Sequence, residues 1–201
     1  GTTPYQKRLE EKLCENYETE STVLFPTGYQ AVLGTIYAAL GAGDTAVLDG
    51  AVHQSILDGA RISGAKIRMW LHNDVEDLAG ILGAGGASGA GAGGTRLVAV
   101  DSVYSLEGDV APVPEILHAT ANADAYLLVD EAHSLGVLGI HGRGIVEHWR
   151  DAGKTFKKPD LIVGTFSKFA GAVGGFLTGE KDLVSFVRHT CKSHLFSAAL
   201  P

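Results

Sequence analysis

Cysteine is scarce in this chain: Cys14 and Cys191 are the only two in 201 residues. They stand far apart and form no metal-like or redox pair, so the expectation is a pair of reduced thiols in a cytoplasmic protein. Basic charge is also short. Against 23 Asp and Glu there are 16 Lys and Arg, for a formal net charge of −7. A broad nucleic-acid surface needs a basic stripe, which argues against that class of partner; a small anion held by local dipoles remains allowed. An uninterrupted apolar run of spanning length is missing too. The uncharged segment from Ser21 to Gly43 contains Pro26, Gly28, Gln30 and Gly34, and reads as a buried strand, turn and helix instead of a membrane span. The opening GTTPYQKRLEEKL is polar and charged, unlike a secretory signal.

What is present is a chain with 45% apolar residues, enough to bury one core. Leu9 and Leu13 lie at helical spacing between Tyr5 and Asn16. Compact strand candidates follow: TVLF before Pro26, TAVLD (45–49), KIRMW (66–70), RLVAVDSV (96–103), YLLVD (126–130), LIVGTF (161–166) and GGFLTG (174–179). Helical stretches such as QAVLGTIYAAL, HQSILDGARISG and VPEILHATANA separate several of them. Apolar strands alternating with helices predict an α/β fold, a mostly parallel sheet with helices on both faces. In such sheets ligands bind beyond the carboxyl ends of the strands. The run GAGGASGAGAGG (83–94) has no side chains for a core and reads as a flexible surface loop.

The stretch YLLVDEAHSLGVLG poses a chemical choice, because an apolar strand ends in Asp130, with Glu131 beside it and His133 three residues on. A nucleotide-driven motor places acidic residues at such an end, but it also needs an upstream G-x-x-x-x-G-K-[ST] loop. The Gly-Lys-Thr at Gly153 to Thr155 has His148 where the first glycine belongs and lies downstream of Asp130. The motor reading fails on both counts.

A pyridoxal 5'-phosphate site makes demands that this chain meets in order. It needs a lysine for a Schiff base, and Lys168 directly follows an apolar strand among small residues. It needs a carboxylate to keep the pyridine nitrogen protonated. Asp130 is the candidate, and a charged hydrogen bond of that kind contributes about 1.5–3 kcal/mol. His133 would turn toward the phenolic oxygen, and His53 would stack on the ring. Thr27, Gly28 and Tyr29 lie at a strand-to-helix junction whose free amides suit a phosphate, and Thr165 and Ser167 flank the lysine within reach of the same group. Taken singly, each has an ordinary explanation: an exposed lysine, a turn-capping aspartate, a helix cap. Their joint order carries the case.

These residues resemble the α-oxoamine synthases, a family of fold-type-I pyridoxal phosphate enzymes, and the similarity runs from end to end. FPTGYQAVLGTI is similar to the family's phosphate turn, VHQSILDGARISGA to its stacking-histidine segment, and WLHND to the landmark after it. VDSVYSLEGDVAPVPEI matches a family block that places Ser105 near the ring or its oxygen. LLVDEAHSLGVLGIHGRG and PDLIVGTFSKFAGAVGG carry Asp130, His133, Thr165 and Lys168 in the family's order. SHLFSAALP resembles the segment that reaches the phosphate of the partner subunit, through Ser197 here. Tyr5 and Ala198 stand where a histidine and a second hydroxyl are usual.

The resemblance implies a homodimer with shared active sites and a decarboxylative condensation of an amino acid with an acyl thioester, carried by coenzyme A or a carrier protein. Lys168, His133 and Asp130 would be the catalytic set. It also implies that residues 1–201 are the cofactor-binding large domain alone, without the family's N-terminal segment and C-terminal small domain. Two other readings stay open: another fold-type-I enzyme, such as an aminotransferase or carbon–carbon lyase, and a non-catalytic partner subunit of a synthase.

Overall fold

Within each strand the side chains alternate between two apolar layers, and this alternation builds the fold. In β4 (Arg96–Asp101), Val98 and Val100 join one core cluster while Leu97 and Ala99 join the other. β5 (Tyr126–Asp130) repeats the pattern, with Leu127 and Val129 on one side and Leu128 on the opposite side. A strand apolar on both faces must be covered twice, the expected signature of a buried parallel sheet.

The computed structural model describes residues 2–84 and 94–201. Its sheet has seven strands in the order β1-β7-β6-β5-β4-β2-β3, the others being β1 (Ser21–Phe25), β2 (Thr45–Asp49), β3 (Lys66–Trp70), β6 (Leu161–Thr165) and β7 (Gly175–Gly179). The pairs β2–β3, β2–β4, β4–β5 and β5–β6 are parallel, while β7 runs antiparallel to both β1 and β6. That short return after β6 is the one departure from the expected βα alternation.

The first helix, α1 (Pro4–Tyr17), starts on a capping box in which Thr3 and Gln6 satisfy each other's backbone amides, with Pro4 in the first turn. Then come α2 (Gly28–Ala39), α3 (Gln54–Ser63), α4 (Val75–Ala84), α5 (Val113–Asn122), α6 (Ile145–Asp151), α7 (Lys181–Thr190) and the short α8 (Lys192–Leu195). Apolar residues of α1, α4, α5 and α6 pack with Val98 and Val129; those of α2, α3 and α7 pack with Ala99 and Leu128. The glycine-rich loop expected over 83–94 lies mostly outside the described residues, and Gly83 and Ala84 close α4. No helix among the described residues is long and apolar enough to cross a membrane.

Candidate active site

The carboxyl ends of several strands open onto one cavity of about 360 Å³, and each end delivers a polar side chain to it. β1 leads to Thr27, Gly28 and Tyr29; β2 to His53; β4 ends in Asp101; β5 ends in Asp130 and leads to His133; β6 ends in Thr165 and leads to Ser167 and Lys168. This is the edge where ligands of doubly wound sheets collect. The strand parity decides who faces it: Ala99 and Leu128 belong to the α2/α3 layer, and so Asp101 and Asp130, two residues on, point to the same side.

The α2 end of the cleft is built for an anion. Thr27 Oγ1 accepts from the Gln30 amide at 3.1 Å, and the first backbone bond of the helix runs from Ala31 N–H to Thr27 O at 3.1 Å. The amides of Gly28 and Tyr29 precede that bond and are not used by the helix ladder. Gly28 must be glycine, because a Cβ there would sit 2.5 Å from the Thr165 Cβ. Thr165 Oγ1 donates to Gly174 O at 3.1 Å and accepts from the Ser167 amide at 3.2 Å, which ties down the turn carrying Lys168.

At the opposite wall Lys168 Nζ donates to His133 Nε2 at 2.5 Å. Burial lowers the lysine below its ordinary value against the pull of Asp130 and Asp101. Burial and then the Lys168 charge lower His133 and His53 as well, favouring neutral imidazoles. His53 sits at the rim and caps α3, its Nδ1 accepting from the Ser55 amide at 3.3 Å. The Tyr29 hydroxyl donates to Asp58 Oδ2 at 2.5 Å, so it braces α2 against α3 and leaves its ring as cleft wall.

Asp130 is 5% exposed, and its Oδ1 accepts from the Ala132 amide at 2.9 Å. Burial pushes its carboxyl up to about 6, with that amide and Lys168 opposing. The adjacent Glu131 turns to the other layer. There it accepts from the Ile145 amide at 3.0 and 3.2 Å and so caps α6, while a Cβ on Gly144, whose φ is +94°, would collide with its carboxylate.

Ser105 is not brought into the cleft, and Ser197, expected against the partner subunit's phosphate, lies outside the cleft of its own chain. Ser105 is exposed in the turn after β4, because its neighbour Tyr104 turns fully into the core; Val103 supplies that wall instead. Ser197 lies in a separate hollow, its Oγ accepting from Gln30 Nε2 at 3.2 Å. In the other direction, sequence reading passed over Asp101 and Ser55, both of which line the cleft. For Asp101 a signal existed: it ends RLVAVD as Asp130 ends YLLVD.

All 201 residues match the aminotransferase class I and II family. The chain belongs to that family. Among its relatives, a serine palmitoyltransferase of Caulobacter vibrioides is 44% identical over 201 residues, covering 100% of this chain and 48% of that protein. An 8-amino-7-oxononanoate synthase of Methylococcus capsulatus is 39% identical over 201 residues, covering 100% of this chain and 50% of that protein. A solved structure of SPT with PLP internal aldimine superposes with a TM-score of 0.89 at 38% identity, covering 100% of this chain and 48% of that one. The chain therefore spans about half the length of the relatives it matches. Both named relatives fall in the α-oxoamine synthase group that the motifs resemble, and the mixed, mostly parallel sheet is the expected fold of this class I and II family member.

Proposed function

We propose that this chain is the pyridoxal 5'-phosphate-binding large domain of an α-oxoamine synthase, whose whole protein condenses an amino acid with an acyl thioester and releases carbon dioxide. The observation that carries this reading is the convergence of Lys168, His133 and Asp130 on one cleft whose far end is the start of α2.

The residues fit the cofactor. Asp130 offers a buried carboxylate for a protonated pyridine nitrogen, the α2 amides with Thr165 and Ser167 suit a phosphate, and His53 stands at the rim where a flat ring is covered. When bound, the group supplies an electron sink for the charge left as a bond to an amino acid's α-carbon breaks. Lys168, its ammonium disfavoured by burial, would be the residue that anchors the cofactor covalently and the base that takes the α-proton on Nζ. His133 holds Lys168 in place, and with the cofactor bound it would be the residue to donate toward its phenolic oxygen. Asp130 would hold the protonated pyridine nitrogen.

The protein works as a homodimer in this reading. Exposed apolar side chains flank the cleft, Phe169 and Val173 beside Lys168 and Val137 and Ile140 beyond His133, and suit cover by a second copy. Ser197, outside its own chain's cleft, suits the expected contact with the other subunit's phosphate. Free Cys14 and Cys191 agree with a cytoplasmic setting.

The test is an absorbance spectrum of the intact protein with added pyridoxal 5'-phosphate, beside Lys168→Ala. A visible band that borohydride removes and the variant lacks is the expected result. An identical band in the variant excludes Lys168 as anchor, and no band in either excludes the reading. Screening amino acids and acyl thioesters for carbon dioxide release then identifies the substrates.

A further inference from the structure

Asp101 stands beside Asp130 and has no part in the chemistry assigned to that cleft. The two are paired in register on neighbouring parallel strands, so their side chains rise from the same face about 4.8 Å apart at the backbone. Both line the cavity, and they are 3% and 5% exposed. Asp101 Oδ2 accepts from the His53 amide at 3.1 Å, while Oδ1 has no hydrogen-bond partner among the described residues. A buried carboxylate oxygen without a donor is costly unless it carries a proton.

The groups that face Asp101 define its charge. Asp130 presses from β5, Asp49 from the end of β2, and the Tyr104 phenol from the residue run after β4; Lys168 is the cation on the β6 side, and the two cleft imidazoles, His53 and His133, are held toward neutrality. Burial and then Asp130 push the Asp101 carboxyl up to about 8. Two buried carboxylates side by side at one cleft, with one nearby cation, retain a proton between them.

We propose that Asp101 is a positioning carboxyl that shares one proton with Asp130, and that the pair surrenders it to solvent when a protonated pyridine nitrogen docks against Asp130. This inference rests on the cofactor reading above. Before docking, the pair carries one proton and one negative charge. Docking brings one positive charge; the O–H bond on Asp101 breaks, its electron pair stays on the carboxylate, and the proton goes to water. Both carboxylates then face the cation, and Asp101 still holds the His53 backbone. Binding that releases a proton strengthens as pH rises, by up to about tenfold per pH unit for one whole proton.

Pyridoxamine 5'-phosphate is the probe, since it has no aldehyde and leaves the Lys168 ammonium in place. It is titrated calorimetrically into the intact protein at neutral pH, in two buffers of different ionisation enthalpy. The wild type should release roughly one proton more than Asp101→Asn, and Asp101→Glu should restore the release. Affinity should climb between pH about 6 and about 8 in the wild type and much less in Asp101→Asn. Binding to Asp101→Asn shows that its cleft is intact. Equal proton counts in wild type and Asp101→Asn, with both binding, overturn the proposal. If the wild type itself does not bind the probe, the cofactor reading has failed and the proposal falls with it.

Discussion

Asp49 and the pair Asp101 and Asp130 end neighbouring strands of one sheet after similar apolar runs, yet their surroundings differ sharply. Asp49 faces the α4 side. It is 0% exposed and accepts from Trp70 Nε1 at 2.5 Å, His72 Nδ1 at 2.7 Å, and the amides of Ala51 and Asn73 at 2.8 Å each. His72 and Asn73 also reach Asp109, at 3.0 and 2.9 Å, so the network ties the loop after β4 to the end of β3. Burial works to raise Asp49, but these donors together hold it below its ordinary value. Asp101 and Asp130 have one amide donor apiece among the described residues, and burial wins. Burial alone does not set the charge of a strand-end carboxylate; the count of donors does. A carboxylate saturated by the protein is structural, whereas one left short keeps capacity for a ligand's positive charge.

The comparison breaks first if Asp49→Ala is mild. That change strands a buried indole N–H and two amides, and should cost about 3–5 kcal/mol of stability in urea unfolding, with cofactor affinity per folded molecule unchanged. Next in size, Asp130→Asn should weaken pyridoxal 5'-phosphate binding about 10–100-fold, near 1.5–3 kcal/mol, while moving stability little. Equilibrium titration followed by absorbance reads the first quantity and thermal unfolding the second.

Asp101→Asn should stabilise the protein, with no cofactor added, by about 1 kcal/mol at about pH 8, raising Tm by about 2–4 °C. The sign follows from proton counts. Between an ordinary value of 3.8 and about 8 the folded chain holds a proton that the unfolded chain has lost, so wild-type stability falls as pH rises through that window. Asp49 behaves oppositely: its contribution is present above 3.8 and is lost as pH falls through its lowered folded value. The smallest effect belongs to His72. Burial lowers it, but Asp49 and Asp109 raise it to a net upward shift from 6.5. Its ionic contribution is therefore complete below 6.5 and fades as pH climbs through the folded value. His72→Gln should cost about 0.5–1 kcal/mol at about pH 5.5 and less at about pH 8, by thermal melts at both.

Much of this was legible in the chain. TAVLD, KIRMW and YLLVD are strands with the bounds read from the sequence, because a compact run of strand-forming residues is a local property. The helix start at Thr27 was visible as a cap following a strand, while the capping role of His53 at the start of α3 appeared only in the structure. The order of Asp130, His133 and Lys168 pointed to one cleft because all three sit at or just after strand ends, where a parallel sheet gathers its ligands. Ser105 was harder, since the inward turn of Tyr104, which sends its neighbour into solvent, is a packing event between distant segments. The reversal of β7 also depends on pairing between Ser21–Phe25 and Gly175–Gly179, far apart in sequence.

By itself the sequence determined the alternation of strands and helices, the two apolar faces of the sheet and the residue types offered at its carboxyl edge. These follow from neighbours within a few positions of one another. Only the tertiary structure decided which of three similar aspartates is held ionised by donors and which two are left facing a cleft. Trp70 comes to Asp49 from the end of the strand beside it and His72 and Asn73 from the turn that follows, while Asp101 and Asp130 become a pair only through the register of β4 on β5. A carboxylate's charge is set by what surrounds it in space, and local sequence pattern does not carry that information.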